Sequence, residues 1–110
     1  YALHGFLTAI RSEKNLRFHV AATVLVTAAG IFFKLQLWEW IAVIICTGLV
    51  LAMELINTAV EVLCNVVTTE PHPLIKQVKD IAAAAVLVSA ISVFIIGIII
   101  FYPKISQLIF

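Results

Sequence analysis

Between residues 38 and 67 the chain runs WEWIAVIICTGLVLAMELINTAVEVLCNVV. A bilayer core of about 30 Å needs about 20 apolar residues of helix to cross it, so this stretch reads as a membrane-spanning helix with length to spare. Two further apolar blocks flank it, at 18–34 and 76–102. The expected fold is therefore an all-α membrane protein, with the second transmembrane helix at 38–68. What the middle block carries is unusual. Glu54 and Glu61 interrupt it, together with Asn57 and Asn65.

At about 100° per residue, Asn57 lies about 60° to one side of Glu54, Glu61 falls within about 20° of it, and Asn65 about 20° to the other side. Four groups able to bind protons, a metal or a hydroxyl share one narrow stripe. A carboxylate at mid-bilayer costs about 2.5–3.5 kcal/mol on insertion scales. Something must compensate for two of them.

The rest of the chain is too apolar for an ordinary soluble domain. Hydrophobic residues make up 64%, mean hydropathy is +1.17, and typical globular proteins hold only about 45–50% apolar residues. The 110 residues leave room for one domain, 1–110, and no second. Three helices of one copy offer little interior in which to hide the stripe, so assembly is expected. The net charge of +1 says nothing about partners, but its distribution does. Arg11, Lys14, Arg17, Lys76 and Lys79 fall on one side of the three spans, and only Lys34 and Lys104 on the other. Short loops rich in Lys and Arg face the cytoplasm, which puts the N-terminus inside and the C-terminus outside. Cys46 and Cys64, about 27 Å apart on one helix, cannot pair with each other and read as small apolar residues. The sequence opens on Tyr1 rather than Met, so further residues are expected upstream.

Leu3, Phe6, Leu7 and Ile10 recur at the spacing of one helix face. Before a membrane span this predicts an amphipathic surface helix over residues 1–16, lying in the cytoplasmic interface. The first span is short, so His19 and Lys34 are expected to snorkel at its ends. Trp38 and Trp40 suit the outer interfacial belt, with Glu39 between them a solvated interface charge. Pro71 and Pro73 stop the second helix, the small residues Ala82 to Ala85 permit close helix approach, and Pro103 is expected to end the third span.

Depth separates the two glutamates. Measured from Trp40 at 1.5 Å per residue, Glu54 lies about 21 Å down and Glu61 about 31 Å down. Glu61 is then near the cytoplasmic boundary, and Glu54 is still within the lipid-chain zone. A polar stripe of this kind can be structural glue between helices, and Asn57 or Asn65 alone would favour that. Two glutamates favour ion, proton or substrate chemistry. Glu13 either pairs with Arg17 one turn on or supplies a second oxygen ligand beside Glu61 for a hard cation such as Mg²⁺. Lys76 and Asp80 form a plausible helix pair, while a lysine beside a loop with Glu70 and His72 suits phosphates. No Walker A sequence, kinase Gly-rich loop, nucleophile elbow or zinc motif occurs, and nothing points to nucleic acid.

Glu54-Leu-Ile-Asn57-Thr-Ala-Val-Glu61, followed by His72 and Lys79-Asp80-Ile-Ala-Ala-Ala-Ala-Val, resembles the small prokaryotic diacylglycerol kinase family. The similarity extends over nearly the whole chain and includes Tyr1, Gly5, Glu13 and Arg17 in the leader. The His72-Pro-Leu segment and the EKNLRFH run ending at His19 look like its Gram-positive branch, many of whose members phosphorylate undecaprenol. The resemblance implies a homotrimeric lipid kinase of the bacterial plasma membrane with three spans and a surface helix per subunit. It implies Glu54 as general base, Asn57 as an orienting group, and Glu13 and Glu61 as ligands of Mg²⁺ with the ATP phosphates. It further implies that Tyr1, the Glu70-Pro71-His72 segment and Lys79-Asp80 line the nucleotide, and that the site lies between subunits. At position 65 the family usually has Asp, and this chain has Asn, which would leave activity intact or weaken it. On the residues alone two rivals stand beside a Mg-dependent transfer of phosphate from ATP to a lipid alcohol: a small ion- or proton-coupled transporter, and a purely structural assembly.

Overall fold

The computed structural model describes all of residues 1–110 as four helices without strands: α1 (Ala2–Ser12), α2 (Lys14–Phe33), α3 (Leu37–Val67) and α4 (Pro73–Ile109). The last three are long and apolar enough to cross a membrane. The central helix is α3, packed along α4 for most of its length, along α2, and under α1 at one end.

The first break falls at Glu13, whose extended backbone (φ −116°, ψ 114°) closes α1 and opens α2. The surface helix is thus shorter than the expected 1–16. Arg17 explains the corner. Its Nη1 donates to the carbonyls of Ile10 (2.8 Å) and Arg11 (3.0 Å), satisfying acceptors that a helix C-terminus leaves open. The expected Glu13–Arg17 alternative is not formed, because the guanidinium is used on the backbone.

At the other end of α2, Lys34 takes a left-handed conformation (φ 55°). Lys34 N–H donates to Ile31 O and Leu35 N–H to Gly30 O, the paired bonds of a Schellman stop. The turn delivers Trp40 onto Gly30: a Cβ at that glycine would lie 2.6 Å from Trp40 Cη2. Leu35, Val43 and Ile100 form the small buried core here, with Val26, Trp40, Ala42, Ile96 and Phe101 against it.

Glu39 is not the solvated charge the sequence suggested. It is 4% exposed, accepts from Gln36 N–H at 2.9 Å, and meets Lys104 Nζ at 3.1 Å. A carboxylate in the first turn of a helix is favoured by the unpaired N–H groups there, and Lys104 supplies the balancing charge from α4. For the same reason Pro103 does not end the last helix, which runs on to Ile109. Proline forfeits one backbone bond, but its fixed φ is helical. Continuation places half-buried Lys104 against Glu39.

The buried positions of α3 are Glu39, Val43, Cys46, Val50, Glu54, Thr58 and Cys64, spaced mostly by three or four residues, so they form one face. Both cysteines are free. Only 13 of 110 residues are buried, so most of the apolar surface of one copy is left to lipid or to other copies.

Candidate active site

Of the polar residues predicted from α3, Glu54 is buried, Asn57 and Glu61 are half-buried and Asn65 is exposed, all of them toward the end away from Glu39. Glu54 is 4% exposed, sitting on the face that buries Val50 and Thr58. A carboxylate there needs a partner, and the partner is His19 of α2. Its Nε2 stands 3.2 Å from Glu54 Oε1. His19 therefore does not snorkel to an interface; it turns inward. The reason is that an unpaired buried charge costs far more than a paired one.

One turn on, Asn57 Nδ2 donates to Glu61 Oε1 at 3.3 Å, and both side chains are half-buried. The carbonyl oxygen of Asn57 is buried and accepts nothing. A buried acceptor without a donor costs about 1–3 kcal/mol. An oxygen of this kind beside a carboxylate is a fit for a hard cation or for a water bound to one.

Further along, α3 ends at Thr68 and the chain turns into α4. Glu70 N–H donates to Thr68 Oγ1 at 3.1 Å. His72 caps α4, its Nδ1 accepting from Leu74 N–H at 3.1 Å, and Pro73 occupies the first helical turn, where a missing N–H costs nothing. This geometry leaves an open cavity of about 730 Å³ among Asn65, Glu70, Pro71, His72, Lys76 and Lys79. Lys79 Nζ donates to Asn65 Oδ1 at 2.9 Å, while Lys76 pairs with Asp80 at 2.6 Å, both exposed. An open basic cavity against a helix N-terminus suits phosphate groups.

The structure thus brings together three clusters along α3: Glu54 with His19, Asn57 with Glu61, and the Glu70–His72 loop with Asn65 and Lys79. It does not bring in the remaining three predicted residues: Asp80 is exposed and paired with Lys76, outside the lining of that cavity. Tyr1 is fully exposed at the start of α1. Glu13 is half-buried at the α1–α2 corner with no side-chain hydrogen bond or ion pair to any other predicted residue. No three His, Cys, Asp or Glu side chains gather as a metal site within one copy. The residue that sequence reasoning missed is His19, and its signal was depth. His19 precedes Phe33 by as many residues as Glu54 follows Trp40, about 21 Å of helix on either side of a tight turn.

Residues 1–101 match the model of the family described as prokaryotic diacylglycerol kinase. A Bacillus subtilis protein named undecaprenol kinase is 39% identical over 104 residues, 94% of this chain and 85% of its own length. A Synechocystis protein named diacylglycerol kinase is 32% identical over 98% of this chain and 62% of its own length. Another of that name, from Pseudomonas aeruginosa, is 35% identical over 81% of this chain and 72% of its own.

Proposed function

The chain belongs to the prokaryotic diacylglycerol kinase family and is a lipid kinase; from that premise we propose that it transfers the γ-phosphoryl group of ATP to the hydroxyl of undecaprenol, with diacylglycerol the next acceptor. The choice of lipid rests on the similarity to the Bacillus protein. The site reading rests on one observation above the others: a carboxylate held on the buried face of α3, two turns from a second carboxylate with an unsatisfied oxygen beside it.

Phosphoryl transfer is dominated by alignment and charge neutralisation. Lys79, held by Asn65, and the loop Glu70-Pro71-His72 with Asp80 bind and orient the nucleotide at the end of α3, and Tyr1 lines it in the assembled protein. The acceptor hydroxyl comes laterally from the lipid side. Glu54 takes its proton as the alcohol oxygen bonds to phosphorus and the bond to the ADP oxygen breaks. Asn57 orients the groups between the two levels. Glu13 and Glu61 would hold Mg²⁺, which supplies neutralisation of phosphate charge. Mg²⁺ is bound by one or two carboxylates plus phosphates and water rather than by an all-protein cage, so a site without three gathered acidic groups is compatible with it.

The assembly is a homotrimer with the site completed between copies. In support, Ala83, Ala84 and Ala85 are exposed on α4, open to close approach by another helix, and Glu13 has no partner in its own chain. Helix α1 lies on the membrane surface, with Phe6 and Ile10 half-buried and Ala9 buried against the rest. The protein crosses the plasma membrane three times, N-terminus cytoplasmic and C-terminus outside, a reading that five cations on one side against two on the other support.

The test is purified protein in micelles with labelled ATP and Mg²⁺, undecaprenol and diacylglycerol being compared side by side. Label is expected in undecaprenyl phosphate, and Glu54→Gln is expected to abolish it while MgATP still binds. Normal turnover by that variant would refute the base. Label in diacylglycerol alone would overturn the lipid.

A further inference from the structure

The pairing of His19 with Glu54 is not explained by stability alone. Exposure does not set it apart, since the side chains of His19 and Glu54 are 22% and 5% exposed and those of Lys104 and Glu39 are 25% and 5%; what does is that Glu54 is held at Oε1 alone, where Glu39 is held at both oxygens. His19 also forms part of the wall of an apolar cavity of about 250 Å³ that Phe18, Ala22, Thr47, Val50 and Phe94 line, between α2, α3 and α4. The imidazole thus stands between the carboxylate and the apolar space beside it.

We propose that His19 is the positioning residue of Glu54: its Nε2 holds Oε1 so that Oε2 is presented to the acceptor hydroxyl. This deepens the kinase reading and rests on Glu54 being the base. A carboxylate in an apolar interior with no fixed partner would rotate about its terminal torsion, whose preferences are broad. One nitrogen at 3.2 Å removes that freedom. Glu54 makes no other side-chain ion pair, so no second group in the same copy duplicates the function. His19 itself takes no proton from the alcohol. The proton passes from the alcohol oxygen to Glu54, and the new O–P bond replaces the O–H bond.

The experiment compares His19→Phe and His19→Gln with the unaltered protein. Phenylalanine keeps the ring and removes both nitrogens; the glutamine amide nitrogen reaches about where Nε2 stood. Expected for His19→Phe is a loss in kcat of about ten- to a hundredfold, the range for one polar contact to a charged group, with KM for ATP unchanged. His19→Gln is expected to recover most of the loss. If His19→Phe fails to fold, His19→Asn replaces it, being polar but too short to reach Glu54, and the same kcat loss is expected. Full turnover by a folded variant that cannot reach Glu54 overturns the proposal. So does an equal loss in the glutamine variant accompanied by a raised KM for ATP, the mark of a merely structural role. Glu54→Gln run in parallel separates the two readings: if it is inactive while His19→Phe is not, the base stands and only the positioning assignment falls.

Discussion

Helix α3 carries two glutamates that are equally buried, Glu39 near its start and Glu54 past its middle, each 4% exposed and each facing a base from a neighbouring helix. They differ in how completely they are satisfied. Glu39 has Lys104 on one oxygen and the Gln36 backbone N–H on the other, at a helix N-terminus and beside the small apolar core of Leu35, Val43 and Ile100. Glu54 has His19 on Oε1 alone. The first is a closed arrangement and the second leaves an oxygen to spare. Burial by itself does not separate a structural carboxylate from a chemical one; the number of groups that hold it does.

Four substitutions can break or sharpen that contrast. The largest effect is expected from Glu54→Gln, which removes the base and lowers kcat by at least about a hundredfold, with resistance to thermal unfolding in micelles retained. A concurrent collapse of stability would put Glu54 in the same class as Glu39. Glu39→Gln should do the reverse. It strands Lys104 and weakens the α3–α4 contact by about 2 kcal/mol, read as lowered stability to denaturant, while turnover of the folded fraction persists. Close behind it comes Gly30→Ala. The added methyl would meet the Trp40 ring at 2.6 Å, and forcing it in should cost about 1–3 kcal/mol at the Glu39 end without changing KM for either substrate.

The smallest change is expected from Asn65→Asp. Asn65 holds Lys79 at 2.9 Å without neutralising it, so the ammonium keeps its full charge for phosphate. A carboxylate there would compete, by about 1 kcal/mol or less for so exposed a pair. A KM for ATP raised up to about fivefold is expected, with kcat and stability unaltered. A lowered KM would mean that the lysine needs a charged anchor.

Much of this was legible in the chain. Three apolar blocks, the two short connections, and the Glu54–Asn57–Glu61–Asn65 stripe all follow from hydropathy and helical period, which are local properties. The Glu70–Pro71–His72 turn was legible as well, because proline chemistry acts within a few residues. Glu39, His19 and Pro103 were misread, all for the same reason. Each was judged by its neighbours in sequence, where a glutamate between two tryptophans looks wet, a histidine at a span's edge looks free to snorkel, and a proline looks like a stop.

What the sequence alone determined is therefore the membrane class, the number of spans and the face of α3 that bears the acids, since backbone geometry repeats regardless of surroundings. Only the tertiary structure decided which base each buried acid meets: Lys104 for Glu39 and His19 for Glu54. Such pairing joins residues far apart in the chain, and it depends on how neighbouring helices align, α2 with α3 after the left-handed turn at Lys34 and α4 with α3 after the turn that follows Val67. A buried charge is stable only with a partner at contact distance, and contact distance is a property of packing.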